Sequence, residues 1–359
     1  MLTTLDRYII RQFLGTFFFI LVVIMLIAVV FDISEKTQDF AEMTATTQEI
    51  VLEFYVNFVI YYSNLFSGLL TFIAVLLFTS RLAHRTEVIA MLSSGVSFPR
   101  IMWPYFLAAT VLAAMSLFVN HTVLPAANRV RLAFEEEHIR VAYHVDQKHI
   151  HREITPGHIA YFESWNAEHK KGFRFSLEQW QDGVLTSKLT SDRAEYDSVK
   201  GVWQIHDYLV RTMDGSTERI RRGAQLDTVI ALEPSDMGQR WETSMAMSDA
   251  ELNAYIESKS AQGDDSIVPY LIEKHQRTSY PFATYVFTLI GVSIASRKVR
   301  GGTGLHLAAG VGLVLLYIFA MKLTTVAATN AGMDAFLAVW LPNVLFLIIG
   351  VVIYRRAPK

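Results

Sequence analysis

The chain has 359 residues and is nearly neutral, with 32 Lys and Arg against 34 Asp and Glu, a balance that gives no basis for a nucleic-acid partner. A hydrophobic fraction of 52% and a mean hydropathy of +0.29 exclude both a disordered chain and a single soluble core. The absence of cysteine excludes disulfides, thiol catalysis and cysteine-based zinc sites.

Charge is distributed unevenly along the chain. Residues 129–277 hold 44 of the 66 Lys, Arg, Asp and Glu side chains, and the two flanks are correspondingly apolar. A helix needs about 20 apolar residues to cross a bilayer, and six runs without these four residue types have about that length or more. They are 13–31, 54–80, 101–128, 278–296, 301–321 and 335–354. The sequence therefore predicts three membrane helices in residues 1–128, a polar domain at 129–277 and three further membrane helices in 278–359.

The basic residues of the short loops predict how these spans are oriented. If the spans alternate in direction, eleven basic residues fall on one side: Arg7, Arg11, Arg81, Arg85, Arg100, Arg297, Lys298, Arg300, Arg355, Arg356 and Lys359. The opposite short loops hold Lys36 and little else that is basic. Because positively charged loops stay in the cytoplasm, both termini are expected to be cytoplasmic and the polar domain to lie outside.

The polar domain has its own pattern. Between about residues 147 and 232, apolar and polar residues alternate with a period of two, which is typical of β-strands. Turn residues separate the short runs: Pro156-Gly157, Asp182-Gly183, Lys200-Gly201, Asp214-Gly215 and Gly223. This spacing predicts an antiparallel sandwich or an open barrel. Helical patterns flank the strands at 126–141 and after Ser248, where Ser248 and Glu251 have the spacing of a capping box.

Motifs for nucleotide binding and hydrolysis are absent from the sequence. It has no G-x-x-x-x-G-K-[ST] loop, no H-E-x-x-H helix and no G-x-S-x-G elbow, so no catalytic residue and no bound cofactor are predicted for this chain. His149, His151 and Glu153 alternate and could hold zinc from one face of a strand, but a solvated strand face is the preferred interpretation and no metal is predicted. The apolar runs contain few titratable groups, which disfavours a proton-driven transporter.

The most informative stretch lies in the predicted cytoplasmic loop between the second and third spans. It reads Arg-Leu-Ala-His-Arg-Thr-Glu-Val-Ile-Ala-Met-Leu-Ser-Ser-Gly from Arg81 to Gly95, and it resembles the cytoplasmic segment of the LptF/LptG lipopolysaccharide-export permeases. The order of three spans, a β-rich insert and three spans is also that of the family. Further similarities are the opening Leu5-Asp6-Arg7-Tyr8-Ile9, which resembles the LptG-type member, Trp203, and Ala231-Leu232-Glu233-Pro234.

The resemblance implies an architecture and a set of partners. The chain would be a six-helix protein of the inner membrane of Gram-negative bacteria, with an inserted periplasmic β-jellyroll. It would pair with a second LptF/LptG-type permease and dock an LptB-type cytoplasmic ATPase dimer, in which ATP and Mg²⁺ would bind. An LptC-type single-span protein and an LptA-type periplasmic bridge would be further partners. Together they would extract lipopolysaccharide from the membrane and pass it to the bridge.

The resemblance also assigns a role to the loop, where a helix at 84–95 would carry the motion of the ATPase to the spans. The predicted coupling residues are Arg81, Arg85, Glu87, Val88, Ile89, Met91, Leu92 and Gly95. The four apolar side chains would fill a groove on the ATPase, Glu87 would bind a basic residue there, and Gly95 would permit the turn back. The alternative is an ordinary loop helix in which Glu87 pairs with Arg85 or Arg81.

Lipid contacts are expected near the outer ends of the first and fifth spans, which form the lateral entrance in the family. Basic residues there bind the lipid phosphates, and the corresponding places in this chain hold Lys36 and Lys322, with Phe31 as an apolar contact. Asp32 stands where the LptG-type pattern tends to have lysine. The chain therefore departs from the family at an expected phosphate contact.

Two other classes of membrane protein remain as alternatives. A mechanotransducing permease of the MacB or FtsX kind also couples an ATPase to an outside domain, but it usually has four spans with the domain after the first. An ion-coupled secondary transporter or channel is expected to carry charges within the membrane, which these runs lack. A second six-span chain or envelope-export genes beside this gene would favour the lipopolysaccharide exporter.

Overall fold

The computed structural model describes residues 3–139, 148–166, 169–215, 217–232, 234–237, 241–261, 267–296 and 303–357. Arg297, Lys298, Arg300 and Lys359 of the basic loops lie outside these ranges. Within them, six helices are long and apolar enough to cross a membrane, which confirms the predicted architecture. The α-helices are α1 (Thr4–Glu35), α2 (Thr37–Glu42), α3 (Thr47–Glu49), α4 (Val56–Leu65), α5 (Ser67–His84), α6 (Glu87–Ser93), α7 (Phe98–Phe118), α8 (Leu124–His138), α9 (Asp249–Ala261), α10 (Val268–Ala295), α11 (Thr303–Ala331) and α12 (Ala335–Arg355).

The second apolar run is not one continuous helix. It begins in a π-helical turn, Ile50–Tyr55, continues as α4, and is interrupted at Phe66, whose φ of −89° and ψ of 0° leave the regular helical geometry. Helix α5 is the part of this run that is long and apolar enough to span. The excess length of the predicted run is therefore explained by α4, which precedes the span.

A second π-helical turn, Val119–Val123, lies between α7 and α8. Polar side chains join α4 to this irregular region. Asn64 Nδ2 donates to Asn120 Oδ1 at 2.6 Å, and Ser116 Oγ donates to Asn64 Oδ1 at 2.9 Å. Side-chain hydrogen bonds of this kind hold membrane helices together, because the hydrophobic effect contributes little to helix association inside a membrane.

Helix α10 is the most buried of the six spans, and it packs against α5, α7 and α12. Close approach between helices depends on glycine. A Cβ atom on Gly291 of α10 would lie 2.8 Å from Val75 Cγ1, and one on Gly310 of α11 would overlap Leu76 Cδ1 and lie 2.6 Å from Phe72 Cε1. Small residues at these positions let the helix backbones approach, as is common in membrane bundles.

We expect Gly310→Leu to destabilise the membrane unit by about 1–3 kcal/mol, because the added side chain meets packed atoms of α5 that cannot move aside freely. Gly312→Leu is the matched control, since a Cβ atom on Gly312 meets nothing within 4 Å. Thermal unfolding of the purified chain in detergent measures both. An equal shift in the two variants would contradict the packing explanation.

The inserted domain contains one antiparallel sheet. Its strands are β1 (Ile150–Thr155), β2 (His158–Phe162), β3 (Ser164–Asn166), β4 (Lys171–Gln181), β5 (Val184–Asp197), β6 (Val202–Asp214) and β7 (Thr217–Thr228). The order is β1-β2-β4-β5-β6-β7, and β3 pairs with β4. The prediction of an inserted all-β region is confirmed. Among the described residues the strands form one continuous sheet, with β3 beside β4 off the main order.

The predicted turn dipeptides join successive strands, with one exception. The glycines of Pro156-Gly157, Asp182-Gly183, Lys200-Gly201 and Asp214-Gly215 have φ between 59° and 79°, a region that favours glycine. Gly223, in contrast, was predicted as a turn and lies inside β7, paired with Tyr208. A Cβ atom there would lie 2.6 Å from Tyr208 Oη, so this glycine makes room for the tyrosine.

One face of the sheet carries the core of the inserted domain. Trp203 is fully buried and contacts the rings of Phe162, Trp165 and Tyr196 at centroid distances of 5.4–5.8 Å. Its indole Nε1 donates to the carbonyl oxygen of Leu232 at 2.8 Å. The two sequence features that resembled the family in this domain are thus in direct contact.

The chain folds into two compact units. One comprises Met1–His138, Ser244–Leu252 and Val268–Lys359, and the other comprises Ile139–Thr243 and Asn253–Ile267. The predicted polar domain at 129–277 is therefore shared between the two units. Its first helical residues, the segment Ser244–Leu252 and the start of α10 belong to the membrane unit.

Candidate functional site

The loop predicted to couple to an ATPase has a defined shape. Helix α5 ends at His84, and Thr86 has a left-handed backbone (φ 61°) before α6 begins at Glu87. After α6, Gly95 (φ 87°) reverses the chain into α7. The single helix predicted at 84–95 is therefore the end of α5, a turn and the seven-residue helix α6, because a left-handed residue cannot continue a right-handed helix.

The apolar side chains of α6 face two directions. Val88 is only 2% exposed, and Met91 and Leu92 are partly buried against the same membrane core. Ile89 is 47% exposed. Val88 therefore cannot fill a groove on a partner, and the predicted set of four groove residues is reduced to Ile89 with the exposed edges of Met91 and Leu92.

Glu87 lies at the start of α6, between two neighbours. Tyr8 Oη of α1 donates to Glu87 Oε2 at 3.4 Å, and Arg85 Nη1 lies 3.9 Å from Glu87 Oε1. Arg85 is 63% exposed, and exposed ion pairs are weak. The pairing with Arg85, which the sequence left as an alternative, is thus present but leaves Glu87 available for a stronger partner. The contact with Tyr8 was not predicted.

At the other end of α1, Lys36 is already paired. Its Nζ lies 2.9 Å from Asp32 Oδ1 and 4.4 Å from the centre of the Phe54 ring, and Tyr55 Oη donates to Asp32 Oδ2 at 3.1 Å. Asp32 is therefore the partner of Lys36, a pair that the i, i+4 spacing could have indicated. A phosphate at Lys36 would have to compete with this carboxylate.

The other two predicted lipid contacts are open to the surroundings. Phe31 is 71% exposed on α1. Lys322 is exposed too, but it lies within α11, which continues to Ala331 rather than ending near Met321 as the apolar run predicted. Of the six described spans, α1 and α11 have the smallest buried share of their most apolar stretch, 17% and 22%. They are therefore the spans that the rest of the described chain covers least.

A buried arginine that was not predicted as a site holds the segment Ser244–Leu252 on the membrane unit. Arg277 of α10 is 3% exposed. It donates to Glu273 Oε1 (2.9 Å), Asp249 Oδ1 (2.8 Å) and the carbonyl oxygens of Ser244 and Met247 (3.0 and 2.8 Å). The arginine directly before an apolar run in the sequence was the only available signal.

Asp249 also contacts the third span, since His121 Nδ1 lies 2.6 Å from Asp249 Oδ2. Partial burial works against ionisation of this carboxyl, but the hydrogen bonds from His121 and Arg277 outweigh it and lower the pKa of Asp249 below its ordinary 3.8. A carboxyl with a lowered pKa in the folded state stabilises the fold above its ordinary pKa, and this contribution is lost as the pH falls through the folded value. The carboxyl group of Asp249 is therefore ionised at neutral pH.

The inserted domain offers no metal site among its described residues, and within the described ranges of the chain no three His, Asp or Glu side chains are placed to hold a metal ion. His149 Nδ1 lies 2.8 Å from Tyr161 Oη, His151 Nδ1 donates to the His149 carbonyl oxygen, and Glu153 accepts from the Gly157 amide. A cavity of about 480 Å³ in the inserted domain is lined by apolar side chains such as Phe175 and Leu209 and by charged ones that include Arg174, Glu178, Lys188, Asp192 and Asp207.

A comparison with known families supplies the identity that the geometry suggests. The family model of the lipopolysaccharide export system permease LptF/LptG matches residues 7–356. The chain belongs to the LptF/LptG family. The match includes the loop with α6, the inserted sheet and all six spans, so the permease is a multi-pass membrane protein of lipopolysaccharide export.

No curated protein matches the sequence. The family model covers both LptF and LptG, so the LptG-like character of residues 5–9 stays a prediction. The six spans and the inserted β domain of the permease agree with the family resemblance first noted at Arg81–Gly95.

Proposed function

We propose that this permease moves lipopolysaccharide out of the inner membrane with energy from a cytoplasmic ATPase dimer that docks on α6. The start of α6, with Glu87 and Ile89, carries this proposal. Ile89 is exposed and Glu87 is half-buried, on a short helix that lies between α5 and α7 in the chain. A rigid helix that presents one acidic and one apolar side chain suits docking in a groove with a basic rim.

The orientation of the chain supports the same proposal. The loop that holds α6 carries Arg81, Arg85 and Arg100, and it lies on the side with the chain termini if the spans alternate. Positive charge in short loops marks the cytoplasmic side. The ATPase would then meet α6 in the cytoplasm, and the β domain would lie in the periplasm, where an LptC-type protein and an LptA-type bridge would receive the lipid.

The energetics of the lipid favour a sideways path between helices. Removing an acyl chain from the membrane costs about 0.8 kcal/mol per CH₂ group, which amounts to tens of kcal/mol for a lipid with several chains. The substrate must therefore exchange one apolar environment for another. The uncovered faces of α1 and α11 suit this path, together with a second LptF/LptG-type permease that covers part of them.

The paired Lys36 sets a condition on phosphate binding. The lipid headgroup would have to displace Asp32 from Lys36, or would bind basic residues of the second permease instead. Lys322, exposed on α11, is the other candidate in this chain. Phosphate binding at Lys36 and phosphate binding at Lys322 are both part of the proposal.

The test is a purification followed by a transport assay. The tagged chain is co-expressed with its second permease and the ATPase, purified, and placed in vesicles that contain lipopolysaccharide. Recovery of the ATPase, and release of lipopolysaccharide to a soluble jellyroll acceptor only when ATP is added, are expected. ATPase recovery without lipid release would favour a mechanotransducer. If the ATPase is not recovered and no lipid is released, an ion-coupled transporter would be favoured.

A further inference from the structure

Asp6 is a carboxylate with almost no solvent contact. It is 2% exposed, and its two oxygens receive two bonds from Arg100: Nη1 to Oδ1 at 2.6 Å and Nη2 to Oδ2 at 2.8 Å. The amide of Thr3 donates to the same carboxylate at 2.8 Å. Burying a charge is unfavourable unless it is paired and hydrogen-bonded, and a two-pronged arginine contact also fixes the relative orientation of the partners.

This ion pair joins the start of α1 to the start of α7, the helix that comes after the coupling helix α6. Asp6 lies in the first turn of α1, and Arg100 lies in the first turn of α7, which follows α6 after residues 94–97. Tyr8, two residues further along α1, donates to Glu87 and packs edge-on against Phe78 of α5 at 6.3 Å. The start of α1 is therefore held by α5, α6 and α7 together.

The rest of α1 is held unevenly. Ile9, Phe13 and Phe17 are buried at helical spacing in the core formed with α5 and α7. Beyond Phe17, only Met25 of α1 is buried, and Val30 and Phe31 are more than half exposed. Helix α1 is thus buried on the half next to α6 and largely exposed on the outer half where the lipid path is proposed, with Asp32 bonded to Tyr55 and Lys36 beside the Phe54 ring at its outer end.

We propose that the Asp6–Arg100 ion pair is a positioning element that makes α1 move with α6 and α7, so that a displacement of the coupling helix reaches the outer half of α1. This inference rests on the proposed function. Without the pair, α6 still offers Glu87 and Ile89 to the ATPase, but its motion is no longer passed to α1. The pair therefore controls how much lipid is released for each ATP hydrolysed.

A double-mutant cycle tests the pair in the complete complex with the ATPase and the second permease. Asp6→Asn, Arg100→Gln and the double variant are compared with the natural chain by the ratio of lipid released to ATP hydrolysed. Each single variant is expected to lower this ratio about tenfold, within the range typical of coupling between sites, while the ATPase still co-purifies. The double variant is expected to lower it about tenfold as well, because two residues that act only through each other are not additive.

Arg7→Gln is the matched control, since Arg7 is adjacent to Asp6 but exposed. In this variant the ratio of lipid released to ATP hydrolysed is expected to stay unchanged. An unchanged ratio in the single variants, or a double variant whose loss is the product of both, would overturn the inference. If a single variant fails to assemble, the charge-exchanged Asp6→Arg/Arg100→Asp chain decides, because restored assembly and ratio support the pair and their absence counts against it. Failure of the natural chain to recruit the ATPase would instead refute the proposed function.

Discussion

Glu87→Arg is expected to abolish recruitment of the ATPase and lipopolysaccharide export while the permease itself stays folded. The substitution places a positive charge beside Arg85, removes the acceptor for Tyr8, and puts a cation at a helix N-terminus, where an acidic residue is favoured. At a docked interface, removing one partner of a hydrogen-bonded charge pair costs about 2–5 kcal/mol. The loss of affinity is therefore about thirtyfold or more, and a basic partner residue would add repulsion.

Co-purification of the ATPase with the tagged permease measures the effect. Glu87→Gln separates charge from shape, and it is expected to weaken recruitment without the full loss. Glu42→Arg is a control for the change in net charge, since Glu42 lies in α2, in the loop at the other end of α1. Unchanged recruitment and export by the Glu87→Arg chain would show that α6 does not dock on the ATPase through this residue.

The six spans could be predicted because the physics that selects them is simple. A charged residue in the membrane is unfavourable, so runs without Asp, Glu, Lys and Arg mark the helices. The interruption at Phe66 and the two π-helical turns could not be predicted in the same way. Hydropathy reports how apolar a stretch is, and it carries no information about which carbonyl group accepts the hydrogen bond of a given amide group.

The orientation of α6 shows the same limit at the site. The sequence indicated that Glu87 and an apolar stripe belong together, but not which members of the stripe face the membrane core. Thr86 decides this, because its left-handed backbone sets where α6 begins and therefore the rotation that buries Val88 and exposes Ile89. Threonine does not usually adopt this conformation, so no local pattern signals it.

In the inserted domain, turn dipeptides predicted most strand ends, since glycine at positive φ is a strong local signal. The register is a different matter. It is set by contacts between residues distant in sequence, such as Trp203 with Phe162 and with the Leu232 carbonyl. A period of two indicates which residues share a face, but not which strand lies beside which.

Replacing Arg277 by leucine is expected to destabilise the permease strongly and to free the segment that leads back from the β domain. Arg277 holds two carboxylates, of Asp249 and Glu273, and two carbonyl groups of Ser244–Leu252. Removing one side of a buried ion pair leaves the other uncompensated, at a cost of about 3–5 kcal/mol. Leucine keeps much of the apolar volume, so the loss reflects the missing hydrogen bonds and charge.

Arg129→Leu is the matched control on the same segment. Arg129 also bonds to this segment, through Glu251 Oε2 and the Ala246 carbonyl oxygen, but it is 61% exposed. Exposed pairs contribute less than about 1 kcal/mol, so this variant is expected to remain close to the natural chain. Thermal unfolding in detergent, and limited proteolysis between Ser244 and Leu252, measure the two effects separately.

The functional result expected from Arg277→Leu follows from where the segment lies in the chain. Ser244–Leu252 follows the strands of the sheet in the chain and precedes α10, and Arg277 and His121 fix it to the fourth and third spans. Cleavage of this segment in the variant, with the ATPase still recruited through α6 but lipid release reduced, would show that the segment carries motion from the spans outward. Resistance to the protease and unchanged release would mean that the buried arginine stabilises α10 without serving this connection.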